Sequence, residues 1–267
     1  MKINHYLAKK WSLTASIDSD SDSDSDGYTD ASEASAGTDP IDSTSYPIPL
    51  TIMRNDQEVT FTSSDQYTMA DGSEIYVFKY ISNDGSNQSQ YDLSINMSGT
   101  MDILMVGGGG GGGYGRGGGG GGAGGLVFYP GLDLSTLNTI TLKVGNGGTA
   151  TNGSGNNGAD SEIIFNSQTI AAKGGGDSGD ETNGKDGGSG GGIRHYPDKP
   201  GGSSNQATGV TNVWVGYGNN GGTYINAMSG SGGSGAGAPG VDSGYRSDSP
   251  YNDPARGIAV LEKKRSL

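Results

Sequence analysis

MDILMVGGGGGGGYGRGGGGGGAGGLVFY, residues 101–129, decides how the rest of the chain is read. A short apolar segment with strand character, 101–106, runs directly into glycine at 107–113, and a second glycine run follows at 117–122. Bare backbone cannot bury apolar side chains, and glycine loses more conformational freedom on ordering than any other residue. Such runs are therefore either unstructured or held in a cooperative backbone lattice. A collagen reading fails because glycine does not recur at every third position and the nine prolines are scattered. A phosphate-loop reading fails as well, since Gly184-Lys185 is followed by Asp186 rather than Ser or Thr. The ordered alternative is the polyproline-II helix, with about three residues per turn and no internal hydrogen bonds. Its N–H and C=O groups all point outward, so packed rods satisfy one another's backbone.

Working outward, glycine supplies 53 of 267 residues and hydrophobic residues only 31%. That approaches low-complexity composition, but the glycines gather into clusters between strand-patterned segments. Tyr91, Leu93, Ile95 and Met97 alternate with polar residues, the period of a half-buried strand. Further strand candidates are Val59 with Phe61, and residues 75–81, 139–144, 213–215 and 258–261. A pair at 162–165 and 169–172 flanks an Asn166-Ser167 turn. Nothing reads as a helix of three turns. The expected class is all-β: a β-sandwich combined with a bundle of packed polyglycine helices, preceded by a short irregular module.

That order of motifs resembles the glycine-rich domain common in bacteriophage tail and virion proteins. The apolar strand enters polyglycine, then come VGNGG (144–148), GADSEIIF (158–165), further glycine clusters and a closing GIAVL (257–261). The resemblance covers roughly 58–263; the aromatic expected after the closing strand is replaced by Glu262-Lys263. The chain is also similar to the fibre-tip adhesins of T-even-like phages. That similarity implies a polyglycine sandwich whose terminal loops read a host surface. Loops of suitable composition are 193–200, 214–224 and 245–251. Their candidate binding residues are Arg194, His195, Tyr196, Trp214, Tyr217, Tyr224, Tyr245, Arg246 and Tyr251, because aromatics beside polar groups suit sugar stacking and protein anchoring.

The N-terminal part reads differently. The formal charge is −13 with pI near 4.4, which argues against a nucleic-acid partner. Acid concentrates between Asp18 and Asp42. Alternating Ser and Asp alone describe a solvated charge run, but Asp22, Asp24, Asp26, Gly27 and Glu33 fit D-x-D-x-D-G-x5-E, the calcium-loop spacing. In that reading Asp22, Asp24 and Asp26 give side-chain oxygens, Tyr28 its carbonyl, Asp30 a direct or water-bridged contact, and Glu33 a bidentate clamp. The continuation to Gly37-Thr38-Asp39-Pro40 resembles the calcium-binding thrombospondin type 3-like repeats of bacterial surface proteins, as a single copy.

The expected organisation is an attachment leader at 1–19, the calcium module at 20–42, a Pro-containing linker at 43–57 and the glycine-rich domain at 58–267. No segment has transmembrane length, and 11–17 is too short and polar for a signal core. With no cysteine, and with His5 and His195 far from any nucleophile–base pattern, no catalytic set can be nominated. The expectation is a non-enzymatic structural or adhesive virion protein that uses calcium. Its leader would bind other virion proteins, its loops a host glycan or outer-membrane protein, and homo-oligomers are possible. Rival readings are a bacterial surface or matrix protein and an ice-binding protein.

Overall fold

The computed structural model describes residues 21–25, 29–36, 39–43, 50–62, 64–69, 74–82, 86–95, 99–114, 117–152, 155–180, 182–194, 199–225 and 230–243. The all-β expectation holds: strands in antiparallel sheets dominate, and the described helix is the short α1, Asp30–Ala36.

The first large sheet is built from β1 (Leu50–Arg54), β2 (Gln57–Glu58), β5 (Gln88–Ile95), β9 (Thr139–Gly145), β11 (Ser161–Phe165) and β12 (Gln168–Ala172), in the order β12-β11-β9-β5-β1-β2. The second contains β6 (Thr100–Val106), β8 (Leu126–Asp133), β13 (Gly209–Val210) and β14 (Trp214–Tyr217), in the order β13-β14-β8-β6. Two ribbons complete the set. One joins β3 (Gln66–Thr68) to β4 (Glu74–Tyr76), and the other joins β7 (Gly113–Tyr114) in parallel to β10 (Thr151–Asn152).

Alternation explains the burial. Tyr91, Leu93 and Ile95 of β5 point inward with Ile52 of β1, Ile140 of β9 and Ile163 and Phe165 of β11. Met105 of β6 and Val127 and Leu132 of β8 join the same cluster from the second sheet. Each such side chain contributes roughly 1.5–3 kcal/mol by leaving water. Tyr129 and Phe165 meet edge-to-face at 6.1 Å across the two sheets. The hairpin turns are the tight kind that sequence signals: Asn166 and Ser167 have φ of 45° and 60°, and Asn55 and Asp56 have 50° and 60°.

Several boundaries differ from expectation. Leu50–Arg54, inside the stretch read as a linker, pairs with β5 from Leu50↔Ile95 to Met53↔Asp92. Its flanking prolines disguise it, yet as a strand it buries Ile52. Val59 and Phe61 pack on the core beyond β2 without belonging to a strand. Of 75–81 only the start pairs, within β4, while Phe78 stacks edge-to-face on Phe61 and Tyr91. The closing strand expected at 258–261 lies outside the described residues.

The glycine runs lie largely outside the strands, and backbone hydrogen bonds cross-link them at a constant interval. Gly107, Gly110 and Gly113 donate to the carbonyls of Gly125, Gly122 and Gly119 at 3.0, 2.8 and 3.1 Å. Gly108 and Gly111 donate to Ala159 and Asn156, both at 2.9 Å; Gly122 and Gly125 donate to Gly176 and Lys173 at 2.8 and 2.7 Å. Gly120 and Ala123 reach Ser231 and Ser234 at 3.0 and 2.8 Å. Every one of these series advances three residues on both segments, whereas a β-ladder repeats every two. Buried serines stitch the runs together: Ser231 Oγ accepts from Ile193 N–H and donates to the Gly222 carbonyl, and Ser234 Oγ lies within bonding distance of the Gly190 and Asn219 carbonyls.

Steric crowding explains the residue type. A Cβ on Gly110 would sit 2.1 Å from the Gly176 carbonyl oxygen, and one on Gly107 would sit 2.2 Å from that of Lys173. Conformation is not the reason, because the left-handed described glycines are Gly99, Gly117, Gly131 and Gly209. Gly131 is the converse case, with φ +63° and open space where a Cβ would go.

Candidate binding surfaces

In the acidic loop Asp22 Oδ1 accepts from Ser25 N–H, three residues on, at 2.7 Å, and Ser25 takes φ 63°. The Asp30 carboxylate is buried and accepts from Ser21 Oγ (2.7 Å), Ser23 N–H (2.8 Å) and Ser23 Oγ (2.7 Å). Its own N–H donates to the Ser21 carbonyl at 2.8 Å, and the chain then turns into α1. Glu33 follows one helical turn later and is fully buried. Asp24 is half-buried, and Asp26 and Tyr28 lie outside the described residues. Among the described residues no three carboxylates or imidazoles gather tightly enough to hold a metal. The donor chemistry does suit a hard cation, being all oxygen, and burial places Glu33 where a cation's field is least screened. Of the residues expected at 22–33, Asp22, Asp24, Asp30 and Glu33 are described, and serines occupy the Asp30 carboxylate.

The expected loop residues separate into two places. Arg194 is pinned at the edge of the glycine region, its Nη1 donating to Asp180 Oδ1 at 2.8 Å and its N–H to the Gly179 carbonyl at 2.9 Å. Tyr224 N–H donates to the Lys199 carbonyl at 3.3 Å, so the loop ending near 200 lies beside the segment at 224. Lys199 also lines a shallow groove of about 460 Å³ with Thr182, Asn183, Lys185 and Asp186. Asp177, buried and accepting from Lys185 N–H through its carbonyl at 3.0 Å, has its carboxyl pushed up by burial, partly offset by the Lys185 charge. His195, Tyr196, Tyr245, Arg246 and Tyr251 lie outside the described residues.

Trp214 and Tyr217 instead belong to β14. Trp214 packs half-buried against the core, while Tyr217 is exposed. The register places Leu104, Phe128 and Val215 in one cross-strand row, and Val106, Leu126 and Tyr217 in the next. Together they form an outward apolar sheet face that sequence reasoning misses. The available signal is the unbroken apolar run 103–106, which leaves no polar face to the strand.

The family profile described as a glycine-rich domain matches residues 85–259. No curated protein and no solved structure matches the chain.

Proposed function

The chain belongs to the glycine-rich domain family, and from that premise we propose that it is a non-enzymatic structural and adhesive component of a virion. A tail-fibre tip, a tail accessory or a capsid-decorating protein would each suit the reading. The observation that carries it is the three-residue advance of inter-run hydrogen bonds, joined to the lack of room for a Cβ. In this reading the runs are packed polyproline-II-type helices, whose outward backbone groups and three-residue turn account for that interval. Such a bundle is rigid without an oily interior, and its connecting loops can vary without disturbing it.

Host contact is assigned to Tyr217, to the groove beside Lys199 and Tyr224, and to the loops at 193–200 and 245–251. A surface glycan or an outer-membrane protein is the ligand class, recognised by aromatic stacking and by charged groups at the rim. The leader attaches the protein to other virion components. In the acidic unit Asp22, Asp24, Asp26, Tyr28, Asp30 and Glu33 would hold calcium, which would neutralise the buried acid and stiffen the loop.

The test is binding of fluorescently labelled full-length protein to intact cells of a bacterial strain panel. Saturable binding to a subset of strains, lost when their surface polysaccharide or outer-membrane protein is deleted, is the expected result. Absence of binding to every strain, with the protein instead retained on its producer's own envelope, would replace the virion reading by that of a cell-surface protein.

A further inference from the structure

Lys185 and Lys199 stand apart from four other described cations. Lys79, Lys143, Lys173 and Arg194 pair with Asp65, Glu162, Asp160 and Asp180, whereas among the described residues no carboxylate lies within ion-pairing distance of Lys185 or Lys199. Both line the same groove, with Thr182, Asn183, Gly184 and Asp186. Asp186 is the carboxylate of that lining, and its Oδ1 accepts from Ser203 N–H at 2.6 Å. Two ammoniums against one carboxylate leave the groove positive in a chain of net charge −13. At physiological salt charges are screened beyond about 8 Å, so an anion in the groove feels these ammoniums more than the acid elsewhere.

The two lysines are carried on fixed backbone. Lys185 N–H donates to the Asp177 carbonyl, and its own carbonyl accepts from Gly191 N–H, both at 3.0 Å. A Cβ on Gly202 would sit 1.9 Å from the Lys185 carbonyl oxygen, so glycine packing holds this segment. Gly184 N–H donates to the Pro200 carbonyl at 3.1 Å, which ties the segment of Lys185 to that of Lys199. Pro200 disfavours helical backbone at Lys199, whose carbonyl accepts from Tyr224 N–H at 3.3 Å. The lining includes no aromatic or aliphatic anchor of the kind that carries protein hot spots, and no ring on which a nucleobase could stack. It offers ammonium donors for an acid group, with the exposed Thr182 and Asn183 beside them for hydroxyls. The volume of about 460 Å³ falls within the ligand-site range of about 300–1,000 Å³.

We propose that this groove binds the acid groups of an acidic polysaccharide, uronate carboxylates or sulfate esters, through Lys185 and Lys199. The proposal deepens the host-contact reading, on which it rests for the place where such a polymer is met, by giving the ligand a charge.

The test titrates purified full-length protein with polygalacturonate, dextran sulfate, neutral dextran and a single-stranded thymidine oligonucleotide, at low and at physiological salt. At least one of the two acidic polysaccharides should bind, more weakly as salt rises, and which of them binds separates carboxylate from sulfate; neutral dextran should not bind. Lys185→Gln and Lys199→Gln should each weaken that binding roughly fivefold at unchanged Tm, as expected for one unit-charge contact beside water. Lys185→Arg should retain it, and so should Lys143→Gln, whose ammonium is paired with Glu162. Binding of neither acidic polymer, equal binding of dextran or of the oligonucleotide, or binding indifferent to both lysines would overturn the proposal. Adhesion to cells reports separately on host contact. Lysine-dependent binding of the polysaccharide without adhesion to any strain would remove the host contact and leave the groove's ligand standing, whereas adhesion indifferent to the lysines with no polysaccharide bound would do the reverse.

Discussion

Alanine at Gly110 and alanine at Gly109 differ by one position in the same run and should have opposite effects. At Gly109 the nearest atom to a new Cβ is the Gly122 oxygen at 3.9 Å, an ordinary contact. The substitution then acts chiefly on the unfolded chain and should stabilise by about 0.4–1 kcal/mol. At Gly110 the Cβ would overlap the Gly176 carbonyl, at 2.1 Å from its oxygen and 2.5 Å from its carbon. Backbone cannot rotate away as a side chain can. The segment carrying Gly176 must shift, and with it the bonds from Gly122 N–H to Gly176 (2.8 Å) and from Gly176 N–H to Ser189 (2.9 Å). Overpacking costs about 1–3 kcal/mol and each of the two buried bonds broken about 1–3 kcal/mol more, so a loss of about 3–9 kcal/mol is expected. For a domain of this size that lowers Tm by about 10 °C or more. Scanning calorimetry of an alanine series over 107–112 should return a period of three: Gly107, Gly108, Gly110 and Gly111 intolerant, Gly109 and Gly112 tolerant. Equal effects at all six positions, or native Tm for Gly110→Ala, would refute the reasoning.

Calcium titrated into the full chain by calorimetry should report one class of site and raise Tm, and Asp24→Ala with Glu33→Ala should abolish both effects. Asp177→Asn should stabilise the protein at neutral pH. Burial raises the folded carboxyl above its ordinary value of 3.8, so the native residue's contribution is complete below that value and is lost as pH rises through the folded value. The gain from asparagine should therefore vanish on acidification below about pH 3.8 when Tm is followed against pH. Tyr217→Ala should weaken cell binding at unchanged Tm because the ring is exposed, whereas Trp214→Ala should lower Tm because that ring packs on the core.

Local periodicity makes part of the fold legible in the amino-acid sequence. The alternation of Tyr91, Leu93 and Ile95 identifies β5 and its buried face, and Asn166-Ser167 marks the β11–β12 hairpin. β8 is harder to see, since Pro130 and Gly131 interrupt it, and both are tolerated where the ladder shifts register opposite Asp102. β1 is hidden by Pro47 and Pro49 just before it. Sheet order is illegible because pairs such as β5 with β9 and β8 with β14 join distant segments. Of the expected binding residues, the acidic set at 22–33 follows a spacing rule, but among the described residues no three carboxylates gather; Trp214 falls in both the strand expected at 213–215 and the loop expected at 214–224, and with Tyr217 it lies in β14. The crowded and open positions of 107–112 look identical in sequence. Only the neighbouring backbone distinguishes them.

Amide hydrogen exchange across 107–125 is the most direct test of backbone packing as the core. The N–H groups of Gly107, Gly110, Gly113, Gly122 and Gly125 should exchange at least about a thousandfold more slowly than in an unstructured peptide, the factor set by an opening free energy of about 4 kcal/mol. Exchange at peptide rates throughout these positions would contradict the account.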